Sequence, residues 1–258
     1  PPANLKRLRI INGCESQPIW IAHMAQNDVG PDEQNVRIEP LQHFDFQTWR
    51  DGEPLAGTRY WPKMGCDEKG EACEVGESGG PGQVCDTKHG CAPPVDTKFE
   101  ATFGNANEED WVDISLVDGY TLPFKFEMKG DCGAGLGDRK AAGKLVDCSR
   151  LSLQSCPSSE DLGPAGSVDL RLAHPVSGKS VGCYSPCSKL TLGQWDNPGV
   201  MGPSENHTAP YCCPTPPESP KECRAGPVVH TTFVEAVHDL CPGVYGYAYD
   251  DGMGLLLC

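Results

Sequence analysis

The 258-residue sequence predicts a mainly β, loop-rich fold held by disulfides, and three observations predict it. The first is fifteen cysteines. Thiols in the cytosol are kept reduced, so this density reads as the disulfide framework of a secreted chain rather than as catalytic thiols. The second is 30 glycines and 24 prolines, a turn-forming composition that suits short strands and long ordered loops better than helices. The third is apolar and polar alternation in segment after segment, the period of half-buried strands.

Taken in order, Leu8-Arg9-Ile10-Ile11-Asn12 and Ile19-Trp20-Ile21-Ala22 read as two short strands joined by a polar turn carrying Cys14 and Pro18. Val36-Arg37-Ile38 and Phe44-Asp45-Phe46 alternate, and a short aromatic strand sits at Tyr60-Trp61 between turn signals. From Gly65 to Pro94 periodicity disappears, and Cys66, Cys73, Cys85 and Cys91 staple a small loop region. Sheet returns in Phe99-Glu100-Ala101-Thr102-Phe103 and in the alternating run Trp111 to Tyr120. Residues 129–227 form a second loop-rich region with most of the remaining cysteines. Thr231 to Asp239 has the spacing of a short amphipathic helix, and a last strand is expected over Tyr245 to Tyr249.

A formal charge of −15 disfavours nucleic acid and anionic membrane surfaces as partners, because both would repel the protein. Neutral carbohydrate or a basic protein remains compatible with it. No stretch reaches the roughly 18 apolar residues of a membrane span, and Pro1-Pro2-Ala3 reads as the start of a processed, secreted chain. The seven histidines are scattered and no paired Cys-x-x-Cys knuckles occur, so neither a metal nor another cofactor is expected. The adjacent Cys212 and Cys213 cannot easily pair with each other, so each ties a different loop to the same point. An odd cysteine count leaves one thiol over, and Cys258 follows Leu255, Leu256 and Leu257 abruptly; the natural chain is expected to continue beyond it.

Two clusters carry candidate chemistry. Gly76-Glu77-Ser78-Gly79-Gly80-Pro81 looks like a serine-protease nucleophile loop, but without a histidine and buried aspartate in recognisable settings it reads as a glycine-rich turn. Glu100, Asp113 and Asp118 lie on or beside predicted strands, and two carboxyls across a cleft are the minimum equipment for glycoside hydrolysis. Along one extended strand Asp113 and Asp118 would face opposite sides, so sharing a cleft requires a bulge or turn, which Asp118-Gly119 supplies. Asn206-His207-Thr208 is a glycosylation sequon in a polar loop, with Asn206 the acceptor.

The chain resembles the thaumatin-like proteins, the osmotin or pathogenesis-related group five family. Trp61 with Gly65-Cys66, the run Trp111 to Pro123, Tyr211-Cys212-Cys213, and the run Cys241 to Asp251 carry the resemblance, in the family's order. It extends from about Arg7 to Cys258. It implies a flattened antiparallel β-sandwich with two disulfide-stapled loop domains: residues 1–6 an extension, 7–65, 92–129 and 242–258 the sandwich, 66–91 a small loop region and 130–241 a larger one. The implied pairs are Cys66–Cys73, Cys85–Cys91, Cys132–Cys258, Cys148–Cys241, Cys156–Cys183, Cys187–Cys212 and Cys213–Cys223. Cys14 remains, its partner expected on a segment beyond Cys258.

The resemblance also implies an acidic cleft that binds β-1,3-glucan, with defence or weak endo-β-1,3-glucanase activity among family members. Glu100 falls on the cleft's glutamate position and Asp113 and Asp118 on two of its aspartate positions; in any hydrolysis Glu100 is the expected proton donor and Asp113 the base or nucleophile, with Asp118 shaping their potentials. Lys63 falls on the position of the cleft's arginine, and Ala209 on that of a further aspartate. The partner expected is β-glucan or another neutral polysaccharide. The alternative is a non-catalytic structural component that assembles with other proteins in an extracellular matrix or surface appendage.

Overall fold

A computed structural model describes residues 6–105, 108–129 and 145–258. Cys132, the expected partner of Cys258, lies outside the described residues. The protein is mainly β. Its largest sheet has six antiparallel strands in the order Leu256–Leu257, Trp111–Ser115, Lys98–Thr102, Thr58–Lys63, Ile19–Ala25, Val36–Ile38. Three of these are the alternating segments Phe99–Phe103, Trp111 onward and Ile19–Ala22, whose β-branched and aromatic residues fit a pleated surface covered on one side.

One face of this sheet is the core. Tyr60, Phe99, Ala101, Val112 and Ile114 belong to it, and His23 stacks on Tyr60 at 5.8 Å between ring centroids. Two hairpin-like pairs cover that face: Leu8–Ile11 with His43–Phe46, and Lys125–Glu127 with Leu145–Asp147. Phe46 lies 5.1 Å from Tyr60, and Phe126 lies 5.4 Å from Phe99. Leu8–Ile11 and Ile19–Ala25 are thus neighbours in sequence but members of different layers, because Leu8 and Phe46 bury themselves by pairing across the top of the larger sheet.

The other face carries Trp20, Trp61 and Lys63 at one end, and the small loop region closes over them. Gly70 packs on Trp20 and Gly80 on Trp61. Gly76, with a φ of +80°, approaches so closely that an added Cβ would stand 2.3 Å from the Pro62 carbonyl oxygen, and only glycine fits. Cys66–Cys73 and Cys85–Cys91 brace this region, and the Ser78 hydroxyl is spent donating to buried Asp96 at 2.5 Å.

In the larger region the bridges are Cys148–Cys241, Cys156–Cys183, Cys187–Cys212 and Cys213–Cys223. A three-stranded sheet, Gly119–Tyr120, Ser180–Tyr184 and Arg171–Ala173, anchors it to the end of the Trp111–Ser115 strand. The helix Thr232–Leu240 buries Phe233, Val234 and Val237 on one face. Thr231 caps it, and the buried Glu160 carboxylate accepts the Thr232 and Phe233 N–H groups at 3.0 and 2.8 Å, satisfying donors that have no intrahelical partner. Cys14 is exposed and bridges no other cysteine among the described residues. Asn206 is exposed, while Thr208 of the same sequon is buried and its hydroxyl donates to the Glu205 carbonyl at 3.1 Å. No helix among the described residues is long and apolar enough to cross a membrane.

The expected strand over Tyr245 to Tyr249 is corrected. Tyr245 makes a single parallel bridge to Ser115, after which the chain turns. The buried Asp250 carboxylate accepts the Gly246 N–H at 2.9 Å and meets His238 Nε2 at 2.7 Å, which folds the segment back on itself. That turn holds Tyr249 at a φ of 68° against the larger sheet's open face.

Candidate functional site

Strand register builds the site. Met24 stands opposite Arg59, Arg59 opposite Glu100, and Glu100 opposite Asp113, so four side chains from four adjacent strands form one row on the face not used by the core. Directly opposed residues in an antiparallel pair hold their Cβ atoms about 5 Å apart, close enough for every neighbour in the row to interact. Arg59 Nε donates to Glu100 Oε1 at 2.5 Å.

A groove runs over this row with a lobe on either side. One lobe, about 340 Å³, adds Asn27, Thr102, Trp111 and Leu255 to the row. The other, about 350 Å³, adds Ser115, Val117, Asp118, Tyr245, Ala248 and Tyr249. Both lobes include Arg59, Glu100 and Asp113, which therefore occupy the middle of the groove.

Glu100, Asp113 and Asp118 are thus brought to one groove. Asp113 and Asp118 share a lobe because the strand ends at Ser115 and the chain turns before Gly119. Gly119 takes a φ of +130°, and an added Cβ there would lie 2.1 Å from the Cys183 carbonyl oxygen, so the approach that places Asp118 requires glycine. Asp118 is ion-paired with Lys98 Nζ, which also donates to the Pro94 carbonyl at 3.0 Å.

Lys63 is not brought to the groove, which corrects its expected role. Its side chain faces the same side of the sheet as Arg59 but four residues away, about 13 Å along the strand. There it is fully buried beneath the small loop region, its ammonium donating to Gly70 O and Gln83 Oε1 at 2.6 Å each and to Asn35 Oδ1 at 3.2 Å. Among the described residues that line the groove, the cation is Arg59. Ala209 is buried at the start of the helical turn Ala209–Cys212 and supplies no carboxylate. Sequence reasoning also passed over Trp111 as a site residue, although strand parity places it on the same face as Asp113.

Burial, reinforced by the neighbouring Glu100 charge and opposed by Arg59, pushes the Asp113 carboxyl up to about 7. An aspartate in an unfolded chain titrates near 3.8, so folding is penalised by ionising Asp113 once the pH exceeds that value, and the penalty is complete above about 7. Asp113→Asn is therefore expected to raise stability at pH 8 by about 2 kcal/mol, with partial solvent access to the groove holding the figure there, and to leave it unchanged below pH 4. Urea midpoints at the two pH values measure this; an equal gain at both would show that the carboxyl's ionisation is not the cause.

A model of the Thaumatin family matches residues 12–258. A protein of Prunus avium named glucan endo-1,3-beta-glucosidase is 31% identical over 204 residues, covering 78% of this chain and 66% of that protein. Thaumatin-like protein 2 of Prunus persica is 28% identical, covering 80% and 68%, and pathogenesis-related protein 5 of Arabidopsis thaliana is 28% identical, covering 78% and 66%. The alignments thus span about two thirds of the length of these relatives. With its sheet-and-loop architecture, its disulfide pattern and this match, the chain belongs to the thaumatin family.

Proposed function

We propose that the protein is a secreted β-1,3-glucan-binding protein whose groove also supports slow hydrolysis of the bound chain. The observation that carries this reading is the cross-strand row Arg59–Glu100–Asp113 in the middle of a groove open on both sides. Two adjacent carboxyls in unlike environments are what acid-assisted glycosidic cleavage needs. Glu100 is ion-paired with Arg59, whereas Asp113 gives up its proton only as the pH approaches about 7, so Asp113 is the proton donor and Glu100 the base or nucleophile. This assignment reverses the roles expected from the sequence. The six bridges among the described residues and the pathogenesis-related name of one relative support an extracellular setting.

A non-catalytic binding role is the second reading. It is favoured by Ala209, which leaves the groove one carboxylate short of the set expected from the family, and by the Lys98 pairing that neutralises Asp118.

The test is release of reducing ends from linear β-1,3-glucan, run beside glucan co-sedimentation. Release is expected to fall by a hundredfold or more in Asp113→Asn and in Glu100→Gln, the range that positioned acid–base groups contribute. It should also fall as pH rises through about 7, because the acid must hold its proton. Binding without release by the wild-type protein would select the non-catalytic reading, and neither binding nor release would overturn both.

A further inference from the structure

We propose that Trp111 is the floor of a sugar-stacking subsite in one lobe of the groove, where it takes a single neutral pyranose ring of the bound chain. The inference rests on the glucan-binding reading above and specifies which residue grips the chain beside the carboxyl pair.

Trp111 is 42% exposed, whereas Trp20 and Trp61 are 4% and 5% exposed and Trp49 and Trp195 are at least half-buried. It stands two residues before Asp113 on the same face of the strand, about 7 Å away along the chain. Leaving an indole open to water forgoes the stabilisation its burial would bring, and packing within the sheet does not require it, since Val112 and Ile114 supply the core contacts of that strand. Met24 and Leu255 border the same lobe and extend an apolar floor. Polar groups are gathered at its margin: Asn27, exposed in a left-handed turn with a φ of 66°, and the Arg59–Glu100 pair. The Arg59 side chain is 52% exposed and spends its Nε on Glu100, which leaves other guanidinium donors for a ligand.

An apolar floor with donors and acceptors along its edge matches a β-linked glucose unit. Its two faces present C–H groups and its equatorial hydroxyls point outward around the ring. Carbohydrate-binding sites commonly combine a broad aromatic surface with a few placed polar groups. An acidic sugar is disfavoured there, because Glu100 lines the lobe and the whole protein carries a charge of −15. Arg59, Glu100 and Asp113 border both lobes, so a chain seated on Trp111 passes directly over the carboxyl pair toward Tyr245 and Tyr249.

The test is calorimetric titration of linear β-1,3-gluco-oligosaccharides of increasing length into wild-type protein, Trp111→Ala, Trp111→Phe and Glu100→Gln. Trp111→Ala is expected to weaken the longest oligosaccharide about tenfold or more and to flatten the gain of affinity with length, while Trp111→Phe, which keeps a ring, stays within about threefold of wild type. Tryptophan emission should shift on ligand addition to the wild type and lose that shift in Trp111→Phe. Should Trp111→Ala fail to fold by near-ultraviolet circular dichroism, the emission comparison in Trp111→Phe decides. Unchanged affinity in Trp111→Ala, or an undiminished shift in Trp111→Phe, would overturn the subsite while wild-type binding kept the glucan reading intact. No binding by the wild-type protein would overturn both.

Discussion

Removing the Cys148–Cys241 bridge as a double alanine variant is expected to lower the unfolding free energy by about 4 kcal/mol. The two cysteines are 93 residues apart and neither is exposed. A cross-link stabilises chiefly by restricting the unfolded chain, and the chain-entropy estimate for a loop of about 100 residues is about 4.7 kcal/mol. Three other bridges lie inside this loop and already shorten its free length, which brings the figure down. The comparison is Cys85→Ala/Cys91→Ala, whose residues are 6 apart, where the same relation gives about 2 kcal/mol. Denaturant midpoints under non-reducing conditions, with Cys14 alkylated to prevent exchange, measure both. Equal losses in the two variants would show that loop length does not govern the effect. Position gives the larger variant a functional consequence as well. Cys148 follows the Leu145–Asp147 strand and Cys241 closes the helix Thr232–Leu240, four residues before Tyr245 joins Ser115 in the groove wall. Its loss should weaken glucan binding along with stability.

The strands around the groove were legible because their alternation is strict. Phe99–Phe103 and the beginning of the Trp111 run each put apolar residues on one face and Glu100 or Asp113 on the other, and folding kept that division. The six described disulfides follow the order of family motifs, which is information about ancestry rather than about spacing. Register was not legible. Arg59, Trp61 and Lys63 share one parity, and 34 residues separate Lys63 from Lys98, so no short turn dictates which of them meets Glu100. The aromatic run Tyr245 to Tyr249 misled for another reason. Its alternation imitates a strand, but Gly243 at a φ of +99° and the side chain of Asp250 offer the backbone a turn instead. Trp111 carried the right parity in sequence, yet whether an outward residue meets water or a covering loop depends on which loops close over that face. The small loop region covers Trp61 and Lys63, whereas Trp111 stays 42% exposed.

Lys63→Met should cost about 3 kcal/mol of stability while leaving glucan affinity within about twofold, and the combination separates a buried strut from a ligand-binding cation. Burial pushes the Lys63 ammonium down, while Glu77, Glu71, Asp96 and Asp67 hold it up, so the charge is maintained by its surroundings rather than by solvent. Its three acceptors come from the Val36 side of the sheet and from both halves of the small loop region: Asn35, Gly70 and Gln83. Methionine fills most of the volume but leaves those acceptors without their donor. Hydrogen bonds to a charged group contribute about 1.5–3 kcal/mol each, and rearrangement of Gln83 toward Asn35, already joined at 2.9 Å, recovers part of the loss. Arg59→Met is the opposite case. Arg59 is half-exposed, and ion pairs in such settings contribute at most about 1 kcal/mol, so its loss should hardly move the denaturant midpoint. It does, however, leave Glu100 and Asp113 side by side without their cation, and glucan binding should fall about tenfold. Should Lys63→Met lose glucan affinity as severely as Arg59→Met at a temperature where both are folded, the small loop region and the groove would be one coupled unit. Should Lys63→Met be neutral for stability, the buried ammonium would not be what fastens that region to the sheet.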